Sequence, residues 1–551
     1  MPNAIAYIAL FGFPLVAAFL FRRFTLMQAA VLTVLIGYLF LPEKTGVNLP
    51  VLPTIDKKSM PAICALIFAA LKMKTERRLA IRRGAPVVSV GAETKEDRTP
   101  LGRRAAPSRA APQQRSAQTT HRKATPSARS VTPPSSMPVT KAPNGKLVYL
   151  IIGILLFSTI ITFLTNRSGL TYGPLRLPAI RPYDMPAMML NFVIMLLPFW
   201  IGWRYLRRPE ASRTLLRMLA LTGVAYACLV LFEVRMAPQL NTWIYGFFPH
   251  SFAQHMRAGG FRPIVFLAHG LRIGIYLSFA VLAAASLMRL EETSRARMLW
   301  GLATGFLLLT LLVSKNLGAT GITILMLGAV FLMPQRMKLL FAATISAVVL
   351  FYPMARAIDV VPTTTLVEWA AKVSPERAQS LNFRFEQENV LLDRAAQKPI
   401  AGWGAWGRAR VYDAETGKDL SVTDGTWIIF FGNHGWIGYL CVFGLLCLIP
   451  IRLMLRRTQL NPSSYDIGLV LVLTAGLIDL LPNSSLVPPL WLITGALWGR
   501  YGALRQDIEN RQAHQGIEPN DMGMSRAGPR SDPSRRIRKS NPDRPSPSPR
   551  A

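Results

Sequence analysis

Long apolar runs separated by short, arginine-rich breaks fill the first 73 residues and the stretch from 147 to 500. A helix crossing a bilayer core needs about 20 apolar residues, and roughly 17–25 suffices. On that measure spans are predicted near 4–21, 26–42, 60–73, 147–164, 187–206, 214–233 and 264–288. Further spans follow near 298–314, 317–333, 338–354, 426–449, 467–482 and 484–500. Those at 60–73, 264–288, 317–333, 467–482 and 484–500 are short or irregular. The expected fold class is an all-α polytopic membrane protein with about 13 transmembrane helices. Arg22-Arg23 follow the first run where a cleavage site would place small residues. Residues 4–21 therefore read as a retained helix, not a removed signal peptide.

Two stretches lack this pattern. Residues 84–146 are rich in Pro, Ala, Arg, Ser and Thr, and 505–551 resemble them. Neither can bury a core, so both read as disordered. The expected organisation is N-terminal spans at 1–73, a basic cytoplasmic linker at 74–146 and a transmembrane core at 147–354. A large loop at 355–425, C-terminal spans at 426–500 and a cytoplasmic tail at 501–551 complete it. The disordered segments are plain solvated tails or contacts for partners and anionic lipid. No internal repeat of the kind that marks many transporters is visible.

Composition sharpens the membrane reading. The chain has 551 residues, 51% of them hydrophobic, and a mean hydropathy of +0.29. Charged residues make up 17%, against roughly 25% in soluble domains. The net charge is +34. A soluble nucleic-acid binder would carry such an excess on a polar folded surface, so nucleic acid is excluded as a partner. Full disorder is excluded by the apolar fraction. Membrane lipid is the expected surrounding. Cytoplasmic loops of membrane proteins collect Lys and Arg. With Arg22-Arg23 inside and the sides alternating, cytoplasmic segments hold +29 of the +34 and everything else holds +5. That assignment places the N-terminus outside, the C-terminus inside, and two long loops, 234–263 and 355–425, outside. Cys64, Cys228, Cys441 and Cys447 lie in apolar runs without metal spacing, so they read as small buried hydrophobes. No metal and no cofactor is expected.

Long loops in a compact membrane protein usually carry function. The first contains Arg235, Arg257 and Arg262, three histidines nearby (His250, His255, His269), and no carboxylate after Glu233. Outward arginines run against the charge bias. Their forked donors suit phosphate, so Arg262 either binds an anion or snorkels to headgroups. The histidines read as structural. The second loop holds nine basic and ten acidic residues and could fold. Residues 380–398 read as an amphipathic helix, with Leu381, Phe385, Leu392 and Ala396 at helical spacing. Arg384 and Glu388, four apart, would pair or face a substrate together. Pro399 ends the helix. The run Gly402-Trp403-Gly404-Ala405-Trp406-Gly407-Arg408-Ala409-Arg410 follows. Its glycines permit a tight turn or a close backbone approach. Trp403 and Trp406 would stack on a sugar ring or anchor at the interface. Arg408 and Arg410 alternate, which would send both to one side of an extended segment. Asp424 precedes the next span as a base or a helix cap. Lys315 lies near a break between spans, where charge is costly and often functional, unless it reaches the outside surface.

This arrangement resembles the superfamily of O-antigen ligases and of O-antigen and exopolysaccharide polymerases, bacterial inner-membrane glycosyltransferases. The resemblance covers roughly 146–500 and rests on elements that are weak singly but occur in order. They are the Arg384-bearing helix, the Pro399–Gly404 turn and the Gly435–Gly438 element in the next helix. The Ser314-Lys315-Asn316 break and the Gly260–Pro263 segment resemble two further elements of that group. The resemblance implies transfer of a glycan from a polyprenyl-diphosphate-linked oligosaccharide to a glycan or lipid acceptor at the periplasmic face, without metal or nucleotide sugar. Arg262 and Arg384, with Arg408 and Arg410, would grip the diphosphate, and a base such as Asp424 would assist the acceptor hydroxyl. Lys315, Glu388 and Trp403 would line the substrate site. Ligases commonly carry a histidine where this chain has Asp424, which tilts the reading toward a polymerase of lipid-linked repeats. His434 lies inside the span, and no base role is carried to it. A ligase acting on lipid A core stays as the alternative. A flippase or transporter is the rival of another class; it would spread charge through many spans, whereas here the spans hold mainly Arg272, Lys315 and Asp479. The sugar, the linkage, the acceptor and a chain-length-regulating partner are left open.

Overall fold

The computed structural model describes residues 1–49, 52–82, 145–257 and 259–514. The linker and tail expected to be disordered fall mostly outside these, at 83–144 and 515–551. The chain opens with α1 (Ala4–Arg23), α2 (Leu26–Phe40), the hairpin β1 (Gly46–Leu49) and β2 (Leu52–Asp56), and α3 (Met60–Arg82). Then come α4 (Lys146–Thr165), the hairpin β3 (Leu170–Tyr172) and β4 (Leu175–Leu177), α5 (Asp184–Tyr205), α6 (Ala211–Met236) and the short α7 (Leu240–Tyr245). A third hairpin, β5 (Met256–Arg257) and β6 (Gly260–Phe261), precedes α8 (Gly270–Leu290), α9 (Ser294–Val313), α10 (Leu317–Leu332) and α11 (Gln335–Ala357). The chain closes with α12 (Thr363–Val373), α13 (Pro375–Ala396), α14 (Thr426–Leu455), α15 (Arg457–Leu460), α16 (Ser464–Asp479) and α17 (Pro488–His514). Met1–Arg505 form one compact unit. Beyond it, the described residues 506–514 belong to α17.

The protein is an all-α membrane-type chain. Eight helices are long and apolar enough to cross a bilayer, and α2 and α10 are shorter apolar helices. Local chemistry sets their starts. Asn3 accepts a hydrogen bond from the Ala6 amide, and Thr25 with Gln28 and Ser463 with Asp466 form capping boxes. Proline at the first position starts α13. The centre is α8, buried almost continuously from Ile273 to Leu287 among α6, α9, α10 and α16. Small residues let backbones meet, as where Gly495 of α17 lies on the Phe199 backbone of α5.

The loops at one end interlock. Lys57 donates to the Phe266 carbonyl at 2.6 Å, and Arg272 pairs with Glu43 at 3.3 Å. At the opposite end Arg500 and Ser212 meet on Asp466, while Arg213 and Arg217 meet on Glu291. Several expected boundaries move. Helix α3 runs to Arg82 and α17 to His514, past the expected ends at 73 and 500. Helix α8 starts at Gly270 and not near 264, because the Ile264 and Val265 amides turn away to donate to Glu233 at 2.8 and 2.7 Å. Cys64, Cys441 and Cys447 are buried, but Cys228 is exposed.

Candidate functional site

Helix α13 crosses the loop end of the bundle against α11 and α14. The expected amphipathic helix at 380–398 is its C-terminal part. Its apolar face turns Leu391 and Ala395 inward. Arg384 and Glu388 lie one turn apart on it but take different partners. Arg384 donates to the Pro482 carbonyl at 2.8 Å and pairs with Asp424 at 3.5 Å. Glu388 accepts from Arg356 at 3.3 Å, from Tyr352 Oη at 3.3 Å and from the buried Trp427 indole at 3.2 Å. The two do not act as one pair. The reason is burial: Arg356, at the end of α11, is 5% exposed and needs a counter-charge inside. Burial pushes the Glu388 carboxyl above its usual range, and Arg356 opposes that rise.

An open cleft of about 180 Å³ lies over this framework. Its walls include Arg384, Glu388 and Asp424, with Leu381, Phe385 and Ile428. Asp424 keeps 43% of its side chain exposed and Arg384 keeps 31%. Asp424 does not cap α14. Gly425 is the cap residue, without a side-chain bond, and the Thr426 amide reaches the Leu480 and Asn483 carbonyls at 3.0 and 3.1 Å. The 480–487 turn thus satisfies the Thr426 amide, and Asp424 faces the cleft paired with Arg384 and not the helix start. Asp479, at the end of α16, lies within electrostatic reach of both Arg384 and Arg262.

The glycine-rich turn has a structural partner. Helix α14 breaks at Gly435, where φ is +60° and ψ −164°. The turn after α13 seats in this break: Trp436 and Ile437 amides donate to the Pro399 and Ile400 carbonyls at 2.7 and 3.1 Å. The Trp403 and Gly404 amides donate back to Gly432 and Asn433 carbonyls, both at 2.9 Å. A Cβ on Gly435 would overlap the backbone of Ile400, and one on Gly402 the backbone of Asn433. Both glycines also sit at positive φ.

Other expected site residues lie elsewhere. Trp403 is not a sugar platform: it is 6% exposed, donates to the Arg394 carbonyl, and carries the Arg394 guanidinium 3.4 Å over its ring. Lys398 covers it too. Burial, then the nearby Arg408 and Arg394 charges, pushes the Lys398 ammonium below its usual value. Arg408 and Arg410 do not share a side, because 405–409 turns instead of extending. Arg408 is fully buried and donates to the Pro178 and Ser168 carbonyls at 2.6 and 3.0 Å. Arg410 pairs with Asp419. Arg262 is 6% exposed and holds Asn316 of the α9–α10 break, donating at 2.8 Å through Nε. Lys315 reaches the same corner, its ammonium against Gly260, and its φ is +58°. Neither Arg262 nor Lys315 lines the cleft. His250, His255 and His269 pack ring against ring beside them, with centroids 4.8 to 5.8 Å apart. Among the described residues no group of His, Cys, Asp or Glu has the geometry of a metal site.

Sequence reasoning missed Arg356 and Tyr352. Their four-residue spacing and the outward arginine at the end of a span were the available signals. No protein-family model matches the chain, and none of the curated proteins compared with it matches.

Proposed function

We propose that this chain is a bacterial inner-membrane glycosyltransferase of the O-antigen ligase and polysaccharide polymerase type. In this reading thirteen helices, α1–α6, α8–α11, α14, α16 and α17, cross the bilayer, and the interlocked loop end faces the periplasm. The enzyme joins polyprenyl-diphosphate-linked oligosaccharide repeats into exopolysaccharide or O-antigen. The observation that carries the reading is the Arg384–Asp424 pair, a fixed guanidinium and an exposed carboxylate facing one cleft. The interlock of Pro399–Gly404 with the break at Gly435 supports it, because the elements behind the family resemblance pack as one unit.

The chemistry follows from the charges. An acceptor hydroxyl oxygen forms a bond to the anomeric carbon of the lipid-linked glycan. The bond from that carbon to the diphosphate oxygen breaks. The hydroxyl proton passes to the Asp424 carboxylate, and polyprenyl diphosphate leaves with the bonding pair. Arg384, steadied by the Pro482 carbonyl, stabilises the charge that develops on the diphosphate. Entry of the diphosphate exchanges the Arg384–Asp424 contact for an Arg384–phosphate contact and releases Asp424 for the proton. Arg262 acts at a distance through the 314–316 break, not as a direct ligand in the cleft.

The test is a clean deletion complemented with wild type, Arg384→Ala or Asp424→Asn, with lipid-linked and surface glycans resolved by size. Single repeat units held on lipid, restored to polymer by wild type alone, support a polymerase. Full-length polymer held on lipid makes the chain a ligase. Loss of every periplasmic intermediate makes it a flippase and sinks the enzyme reading.

A further inference from the structure

A second, open cavity of about 170 Å³ adjoins the Arg384–Asp424 cleft, sharing Leu391 and Ile428 as a common wall. The cavity is built on the glycine-rich turn and the first turns of α14. Trp406 stands at its edge with 47% of its surface exposed. Ala409 and Gly432 add little side-chain bulk to its lining, and Asn433 and Thr423 supply polar atoms.

Three observations about these residues point to a ligand. First, Trp406 has a φ of +59°, which a bulky side chain rarely adopts. Such strain persists where surrounding structure imposes it, and here Gly404 and Gly407 on either side also have positive φ. The turn thereby holds the ring out of the core while its neighbour Trp403 is buried. Second, the Trp406 ring packs on no other aromatic or cation among the described residues. Its indole N–H and the Asn433 carboxamide have no hydrogen-bond partner there either. Third, the only charged group on the wall, Arg410, is already paired with Asp419 and donates to Thr423 Oγ1 at 3.3 Å. The cavity therefore offers one flat aromatic face and neutral hydrogen-bonding groups. That combination suits a sugar ring. The C–H face of a hexose packs on a π-surface, and its hydroxyls meet a carboxamide and a hydroxyl. An anion or an acyl chain would use these groups poorly.

We propose that this cavity is a glycan subsite, with Trp406 as its platform and Asn433 as its hydrogen-bonding group. It rests on the glycosyltransferase reading for its link to turnover, and it names the sugar unit next to the reacting one as the occupant. The ring would sit beside Thr423, one residue from Asp424, so a chain lying across both cavities presents its end to the carboxylate.

The experiment uses the full chain in nanodiscs. One ligand is the lipid-free oligosaccharide released by mild acid from the source cell's polyprenyl-linked pool. The other is the intact lipid-linked oligosaccharide. Binding is measured for wild type, Trp406→Ala, Trp406→Phe, Asn433→Leu and Arg384→Ala, each checked for its unfolding midpoint. Trp406→Ala is expected to weaken glycan binding roughly tenfold, Asn433→Leu severalfold, and Trp406→Phe little. Loss on the lipid-free oligosaccharide assigns the subsite to the acceptor, and loss on the lipid-linked one alone assigns it to the donor. Should Trp406→Ala fail to fold, Trp406→Phe and Asn433→Leu decide by their difference. The proposal is overturned if wild type binds neither ligand, or if folded Trp406→Ala and Asn433→Leu bind both as wild type does. Arg384→Ala separates the two readings: turnover retained there removes the proposed chemistry but leaves the glycan subsite standing.

Discussion

At the residue scale, one helix turn separates a functional charge from a structural one. Arg384 faces the cleft and keeps a partly exposed carboxylate beside it. Glu388 is held by Arg356, Tyr352 and Trp427 and answers a buried guanidinium. Losing Arg384 is expected to lower transfer about 100-fold or more, as removal of one fixed donor to a developing charge does. Asp424→Asn is expected to cost a similar factor through loss of the proton acceptor. Radiolabelled transfer with purified enzyme checks both, and a folded variant at full rate excludes the assignment. Arg356→Ala has a different signature. It leaves a buried carboxylate without its counter-charge, at a cost of roughly 3–5 kcal/mol at neutral pH. Burial already raises the Glu388 titration above its ordinary 4.5, and removing Arg356 raises it further. A raised carboxyl favours the fold below its unfolded value, and that stability is lost as pH rises through the folded value. The unfolding midpoint of Arg356→Ala should therefore lie closer to wild type near pH 5 than near pH 8.

At the element scale, the break in α14 and the turn after α13 form one unit. A helix broken inside a bundle exposes backbone groups that need partners. The 399–404 turn supplies them, and two glycines make the approach possible. Gly435→Ala and Gly402→Ala each impose a left-handed conformation on a Cβ and an overlap with backbone, so each is expected to cost more than about 1–2 kcal/mol. Gly444, on the same helix, has only Leu448 at 3.8 Å and serves as the control. Thermal unfolding in detergent should separate the first two from Gly444→Ala; equal midpoints would exclude the interlock. The sequence showed where the turn and the glycine pair stand but not that they meet. Nothing in local spacing reports contacts such as Trp403 with Gly432 or Pro399 with Trp436, between segments far apart along the chain.

At the scale of the whole molecule, charge and apolar runs argue for the same arrangement. Thirteen spans with the N-terminus outside would put residues near Gly417 outside and those near Glu292 inside. Single cysteines at Gly417 and Glu292, in a chain whose four native cysteines are replaced, should react with an impermeant thiol reagent from outside and inside respectively. Reversed labelling would overturn the orientation and the periplasmic cleft with it. The membrane class, the existence of most of the apolar helices and the amphipathic helix carrying Arg384 were legible in the sequence alone, whereas the ends of α3, α8 and α17 were not. The legible features depend on the period and length of apolar runs, which are local properties of the chain. Which charges share a cleft was not legible. Arg262, Arg408 and Trp403 looked like ligand groups by residue type, yet Asn316, the Pro178 carbonyl and Arg394 occupy them. Asp424 and Glu388 looked alike as carboxylates, yet one is exposed beside Arg384 and the other is buried against Arg356. Sequence determined that a membrane bundle forms and which end collects the polar loops. Tertiary structure alone decided which polar groups satisfy one another and which stay open to a ligand, because burial and partner choice depend on segments far apart along the chain.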